Sequence, residues 1–226
     1  GTKNLLDGSR SANGVANGNN LEFVSASVNT KTSPLNGFDV SITQAASHSF
    51  VKGSVALTQD LIEKGETITI SEGGKTLSFK TIKVENLENN LNSLDLEIKK
   101  VGLNLELIRE PNGTLHLRHT NYGSAHDFSV SSTTAGVLSQ VGDVPMTSIL
   151  GKDVDGTING EQTTGKGQFL TGVAGTKNID GLTIRYTGSE APLNPDGTSK
   201  KAGSVSVFQN SLVFQIGGNV GMTSAV

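Results

Sequence analysis

G-E-T-I-T-I-S-E-G-G-K-T-L-S-F (residues 65–79), followed by V-E-N-L-E-N-N-L-N-S-L-D-L-E-I-K-K-V-G (residues 84–102), decides the fold class. In the first run Ile68 and Ile70 share one face of a strand, Glu72-Gly73-Gly74-Lys75 turns the chain, and Leu77 and Phe79 return on the partner. Strict alternation is the mark of a half-buried strand, and glycines supply the positive φ a two-residue hairpin requires. In the second run the period changes. Val84, Leu87, Leu91, Leu94, Ile98 and Val101 recur at spacings of three and four, which predicts one amphipathic helix. Glu85 and Glu88 at its start and Lys99 and Lys100 at its end complement the helix dipole, and Gly102 stands where a C-terminal cap belongs.

Outward from this centre the pattern is strand and turn. Leu103, Leu105 and Leu107 alternate with polar residues, residues 110–114 form a turn, and Leu115 and Leu117 lead back. Tyr122-Gly123-Ser124 turns again before Phe128-Ser129-Val130, so residues 61–130 read β-β-α-β-β-β with the leucine stripe packed on a sheet. Residues 136–151 are irregular and carry Pro145.

Toward the N-terminus, the Gly/Asn-rich run S-A-N-G-V-A-N-G-N-N (residues 11–20) reads as a loop. Strands are predicted over 21–28 and 38–42, the latter with Phe38, Val40 and Ile42 on its dry face. Toward the C-terminus, short strands are predicted around 157–158, 169–170, 182–186, 205–207 and 212–214, separated by Asn159-Gly160, Asp180-Gly181 and Asn194-Pro195-Asp196-Gly197. The fold class is therefore mainly β with one α+β unit.

Composition bounds the function classes. At 226 residues the chain can bury the cores of two modest domains. Only 17% of residues are charged and 4% aromatic, so polarity comes from Ser, Thr, Asn and Gly, which suits turn-rich sheet. A net charge of −3 gives no reason to expect nucleic acid or anionic membrane as a partner. No run approaches the roughly 18 apolar residues of a membrane-spanning helix. Gly1 has no Met before it and opens no signal-peptide pattern, so the chain reads as an excised piece. With zero cysteines, disulfides, thiolate metal sites and cysteine nucleophiles are excluded.

Candidate chemistry is sparse. Asp153, Asp155, Thr157, Asn159 and Glu161 are spaced like a calcium loop, but counting from Asp155 the twelfth position is Lys166, where a bidentate Glu is needed. A turn and strand are expected there instead. His116 and His119 are three apart with His126 nearby; odd spacing in a strand points the first two to opposite faces, and surface histidines are expected. His48 has no evident partner. Gly73-Gly74-Lys75 lies between strands and not before a helix, so no phosphate loop is expected. Asp95 and Glu97 fall on different helix faces and suggest no acid/base pair. Asn112-Gly113-Thr114 matches an N-glycosylation sequon but reads as a hairpin turn, while exposed residues within 131–134 could take O-linked glycans. No catalytic, cofactor-binding or metal residues are assigned, and an enzyme is not expected.

Two terminal runs carry a resemblance. G-T-K-N-L-L-D-G-S (residues 1–9) and Q-N-S-L-V-F-Q-I-G-G-N-V-G (residues 209–221) resemble bacterial flagellin, where its helical coiled coil hands over to the outer domains and takes the chain back. G-F-D-V-S-I-T-Q-A-A (37–46), the hairpin at 65–79, G-T-L-H-L-R-H-T (113–120), Y-G-S-A-H-D-F-S-V (122–130) and D-V-D-G-T-I-N-G-E-Q-T-T-G-K-G-Q-F-L-T-G (153–172) with D-G-L-T-I-R-Y-T-G (180–188) are similar to a segment that flagellins share with the flagellar hook-associated cap protein.

The resemblance implies a two-domain head: the end of a coiled-coil stalk and linker over 1–21, a discontinuous β-rich base over 22–45 and 150–226, and an inserted β-β-α-β-β tip over 46–149. It implies a secreted, antigenic structural protein of the extracellular flagellar filament. Neighbouring flagellin subunits would be met through stalk helices outside this chain, and residues 1–226 alone would be a monomer that does not polymerise. Both termini would leave as neighbouring strands of one stem. The alternatives are a fragment of the cap protein, and a carbohydrate- or surface-binding adhesin module using Tyr122 and Tyr186.

Overall fold

The structure, a computed structural model, describes residues 12–209. Among them the chain forms two compact units, one from residues up to Ala46 together with those from Asp153 onward, the other from Ser47–Lys152. The fold class is the one expected from the sequence: mainly β, with one α+β unit inserted into a discontinuous β unit.

The discontinuous unit is an eight-stranded antiparallel sheet. Its strands are β1 (Ala12–Asn17), β2 (Leu21–Ser25), β3 (Phe38–Gln44), β11 (Asp155–Ile158), β12 (Glu161–Lys166), β13 (Phe169–Gly172), β14 (Thr183–Tyr186) and β15 (Gly203–Gln209). They are ordered β1-β15-β3-β11-β12-β13-β14-β2. The two edge strands, β1 and β2, are joined by a short turn and lie against each other, so the sheet nearly closes on itself. Inward alternation fills the interior with Phe23, Phe38, Val40, Ile42, Ile158, Leu170, Ile184, Val205 and Val207. Burying each such side chain contributes about 1.5–3 kcal/mol. Gly165 is required by a backbone pinch: a Cβ there would stand 1.7 Å from the Val154 carbonyl oxygen.

The inserted unit is two sheets, a long helix and a short one. Strands β5 (Thr67–Glu72), β6 (Lys75–Lys80), β9 (Ser129–Ser132) and β10 (Met146–Thr147) order as β10-β9-β5-β6; strands β4 (His48–Lys52), β7 (Leu105–Arg109) and β8 (Leu115–Tyr122) order as β4-β8-β7. The short helix is α1 (Gln59–Lys64) and the long one α2 (Leu87–Val101). A single apolar cluster includes Ile68, Ile70, Leu77, Phe79, Leu94, Ile98, Leu115 and Leu117. The β5–β6 hairpin turns through Gly73 (φ 59) and Gly74 (φ 78), the two consecutive positive φ values expected of that run.

Helix α2 begins later than its apolar stripe. Asn86 is the N-cap, accepting from the Asn89 N–H at 2.7 Å, and Val84 lies outside the helix, 94% exposed. Asn90, 1% exposed, explains the displacement. Its Oδ1 accepts from the Ile82 N–H at 2.7 Å, and its Nδ2 reaches the carbonyls of Ile82, Glu85 and Asn86, so residues 82–86 fold across the first turn and cannot extend it. At the other end Gly102 (φ 84) caps in the left-handed region, and the Leu103 N–H bonds the Ile98 carbonyl, as expected for that glycine.

Several expectations are corrected. Residues 12–17, read as loop or linker, are a strand: all six residues of β1 pair with β15, and this tertiary pairing overrides weak local propensity. The strand expected over 21–28 stops at Ser25, because Ser27–Thr30 is a turn whose hydroxyls are engaged elsewhere. Strands β4 and β12 and helix α1 were not expected. The last four residues of E-Q-T-T-G-K pair with β13 through the backbone despite offering no apolar face, and six residues are too short for a helical period. The stretch 136–151 is irregular apart from β10. The strand expected at 212–214 and the terminal motifs at 1–9 and 210–217 lie outside the described residues.

Candidate functional site

The candidate feature is the pairing of the first and last described strands of the discontinuous unit. β1 and β15 run antiparallel in unbroken register from Ala12↔Gln209 to Asn17↔Ser204. The first and last described residues with a ladder partner are thus each other's partners. A ladder of six residue pairs holds two chain segments a strand spacing apart, about 4.8 Å.

The loop between β2 and β3 clamps the same end. The Ser33 N–H bonds the Val207 carbonyl at 3.0 Å, while the Val207 N–H bonds Ser33 Oγ at 2.9 Å. The Gln209 N–H bonds Thr32 Oγ1 at 3.1 Å, and Gln209 Nε2 reaches the carbonyls of Ser27 and Thr30. Ser27 Oγ and Thr30 Oγ1 are themselves donors, both at 2.7 Å, to the Asp180 carbonyl. β15 is therefore held by the β1 ladder and by main-chain and side-chain hydrogen bonds from a loop anchored to residues 178–180. The hydroxyl-rich run Ser27, Thr30, Thr32, Ser33 was the only signal of this clamp in the sequence.

The other candidate residues are placed as follows. The calcium-like run is the β11–β12 hairpin, as expected, with Asn159 (φ 55) and Gly160 (φ 70) at its turn. Its acids are committed to protein donors: Asp153 Oδ1 accepts from the Gly167 N–H, and Glu161 accepts from Asn159 Nδ2 and from Asn178. Burial pushes the Glu161 carboxyl up, but those hydrogen bonds outweigh it and hold it below its ordinary value. Asp95 pairs with Lys99 at 2.9 Å. Asn112 sits at an exposed hairpin tip with its Oδ1 accepting from the Thr114 N–H and hydroxyl. Within 131–134, Ser132 is buried and Thr134 is bound to Glu66, which removes both as exposed glycan acceptors.

The histidines depart from the expected surface positions. His116 and His119 do take opposite faces, but His119 is 1% exposed. The Asn121 N–H donates to His119 Nδ1 at 3.0 Å, so the ring proton sits on Nε2 and is donated to Glu72 Oε2 at 3.1 Å. Burial pushes Glu72 up, and hydrogen bonds from Asn104 and His119 outweigh this to leave it lowered. Strand parity did contain this pair: Glu72 is in phase with Ile68 and Ile70, and His119 with Leu115 and Leu117. His48 does have a partner, the Tyr122 ring at 3.9 Å. Tyr186 is 3% exposed with its hydroxyl on the Glu190 carbonyl, so it offers no binding platform.

Among the described residues no group of three or more His, Asp or Glu side chains could hold a metal ion, and no helix is long and apolar enough to cross a membrane.

No family model matches the chain, and no curated protein does. Solved structures with a similar arrangement include the flagellar cap protein FliD D2-D3 domains from Escherichia coli, at 11% identity and TM-score 0.48, covering 88% of this chain and 99% of that one. The D2-D3 domains of the same cap protein from Serratia marcescens match at 12% identity and TM-score 0.48, covering 85% and 100%. FliD (HAP2) from Pseudomonas aeruginosa PAO1 matches at 14% identity and TM-score 0.46, covering 91% and 93%. At these scores and identities the similarity does not assign a function.

Proposed function

We propose that this chain is the outward-held head of a structural protein of the bacterial flagellum, outside the cell, borne on a stem to which both ends of residues 12–209 lead. The observation that carries the proposal is the Ala12↔Gln209 pairing. Two segments leaving one edge of a sheet side by side can continue as an antiparallel helical pair, whereas ends on opposite sides could not. The runs at 1–9 and 210–217, which resemble the flagellin handover points, stand directly beyond that pair in sequence. Committed acids and a lack of convergent catalytic side chains among the described residues favour a structural role.

In the finer reading the head belongs to a filament subunit and projects from the filament surface, contributing to motility and antigenicity. The second reading is the filament cap protein: each solved structure named above is one, although TM-scores below 0.5 do not decide between the two. One experiment separates them. The head is expressed within a polypeptide carrying long helices before residue 1 and after residue 226, under filament-forming conditions, and viewed by electron microscopy. Long helical polymers are expected for a filament subunit and closed rings of few copies for the cap. A product that stays monomeric overturns the flagellar reading.

A further inference from the structure

The outward face of the β4-β8-β7 sheet carries a second surface feature, unrelated to the chain ends. Inward positions of β4 and β8 hold Val51, Leu115, Leu117 and His119 in the core. The alternate positions form three cross-strand pairs, His48 with Tyr122, Phe50 with Arg118, and Lys52 with His116, with a bulge between the first two that leaves Thr120 of β8 without an opposite residue on β4. Rings and cations are therefore interleaved in a patch two strands wide. The His48 and Tyr122 rings lie 3.9 Å apart, and the Phe50 and His116 rings meet edge-on at 5.9 Å. His48, Phe50, Lys52, His116 and Arg118 line a shallow groove of about 230 Å³.

The polar groups of this groove are pre-set. Arg118 Nε and Nη2 both approach Glu106 Oε2 at 2.9 Å, which fixes the guanidinium of a residue that stands opposite Phe50 in the β4–β8 ladder. His116 Nδ1 is 3.1 Å from Glu110 Oε1, which fixes the imidazole. Lys52 has no ion pair among the described residues, and the buried His48 Nδ1 has no hydrogen-bond partner among them. That nitrogen is closed off from solvent, so the groups the groove offers a ligand are Lys52, Arg118 and the rings of Phe50 and His116.

We infer that this groove binds one ring of an acidic saccharide, a hexuronate, with its carboxylate on Lys52 and Arg118, its C–H face on Phe50 and its hydroxyls on Glu106 and Glu110. Four features select that chemistry. Its volume is below the roughly 300–1,000 Å³ of pockets that engulf drug-sized ligands, which suits a single ring. Aromatic faces pack against the apolar face of a pyranose, and cations bind carboxylates through charge-assisted hydrogen bonds. Glu106 beside Arg118 and Glu110 beside His116 offset the positive charge, which disfavours phosphates and other multiply charged anions more than a single carboxylate, while each can accept from a sugar hydroxyl. The site is independent of the proposed flagellar role and stands or falls separately.

The test is a heteronuclear NMR titration of the 226-residue chain with sodium glucuronate, glucose, acetate and inorganic phosphate. Glucuronate is expected to move the His48, Phe50 and His116 signals saturably at a Kd of about 1–10 mM, with the other three at least ~10-fold weaker. Lys52→Gln, at an exposed outward position, is expected to weaken glucuronate about fivefold or more, with the remaining spectrum unchanged. Phe50→Ala is expected to weaken it by a similar factor. Absence of glucuronate shifts, equal shifts from acetate, phosphate or glucose, or an unchanged affinity in Lys52→Gln would each overturn the assignment.

Discussion

The two units solve the same problem, closing an apolar interior with few aromatics, by opposite routes. The inserted unit is contiguous, and its most legible elements are local: the β5–β6 hairpin, helix α2 and the β7–β8 hairpin each close within about twenty residues. The discontinuous unit depends on pairings across the whole chain. β1 meets β15, β3 meets β15 and β11, and β2 meets β14, joining residues more than a hundred positions apart. The difference shows that sequence patterns report short-range closure well and long-range closure poorly, because the entropy of closing a long loop leaves no local trace.

If the two units are energetically separate, a lesion in one should leave the other folded. The largest effect is expected from Gly165→Val, which drives a Cβ into the Val154 carbonyl and should unfold the discontinuous unit outright. Limited proteolysis should then leave a resistant core of about residues 47–152. Loss of both units together would break the comparison. In the other direction, Ile98→Ala removes a fully buried side chain from the inserted core and should cost about 2–5 kcal/mol. Urea unfolding followed by residue-resolved NMR should show the loss only within residues 47–152.

Smaller changes sharpen the picture. Gln209→Ala removes the side-chain bonds to Ser27 and Thr30 and should cost about 1 kcal/mol. Hydrogen exchange should accelerate in β15 and β1 and nowhere in the inserted unit. The mildest effect concerns acid. Glu72 has its folded pKa lowered, so its stabilising contribution is present above the ordinary carboxylate range, about 4.3, and is lost as pH falls through the depressed value. Glu161 has the same sign in the discontinuous unit. Glu72→Gln should therefore flatten the acid limb of the inserted unit's stability profile and leave that of its neighbour unchanged.

Particular residues show where reading stopped. The isoleucines and the leucine stripe were legible because a period of two or of 3.6 is written directly into their spacing. Asn90 was not, since an asparagine on a helix face carries no sign of the three carbonyls and one N–H it will bond. Glu72 and His119 were each in phase with buried neighbours, yet only the apposition of two sheets made them partners. The cross-strand row on β4 and β8 was hidden because β4 itself was not expected and a bulge between His48 and Phe50 shifts its register.

The sequence by itself determined the β-rich class, the hairpin glycines, the cap at Gly102, the absence of cysteine chemistry and the resemblance at the two ends. These rest on periodicity, backbone sterics and residue inventory, which act within a few positions. Only the tertiary structure decided that residues 12–17 are a strand, that Ala12 faces Gln209, and that rings and cations line one sheet face. Those outcomes depend on which distant backbone supplies the missing hydrogen bonds, and a strand edge accepts any partner that the rest of the fold brings to it.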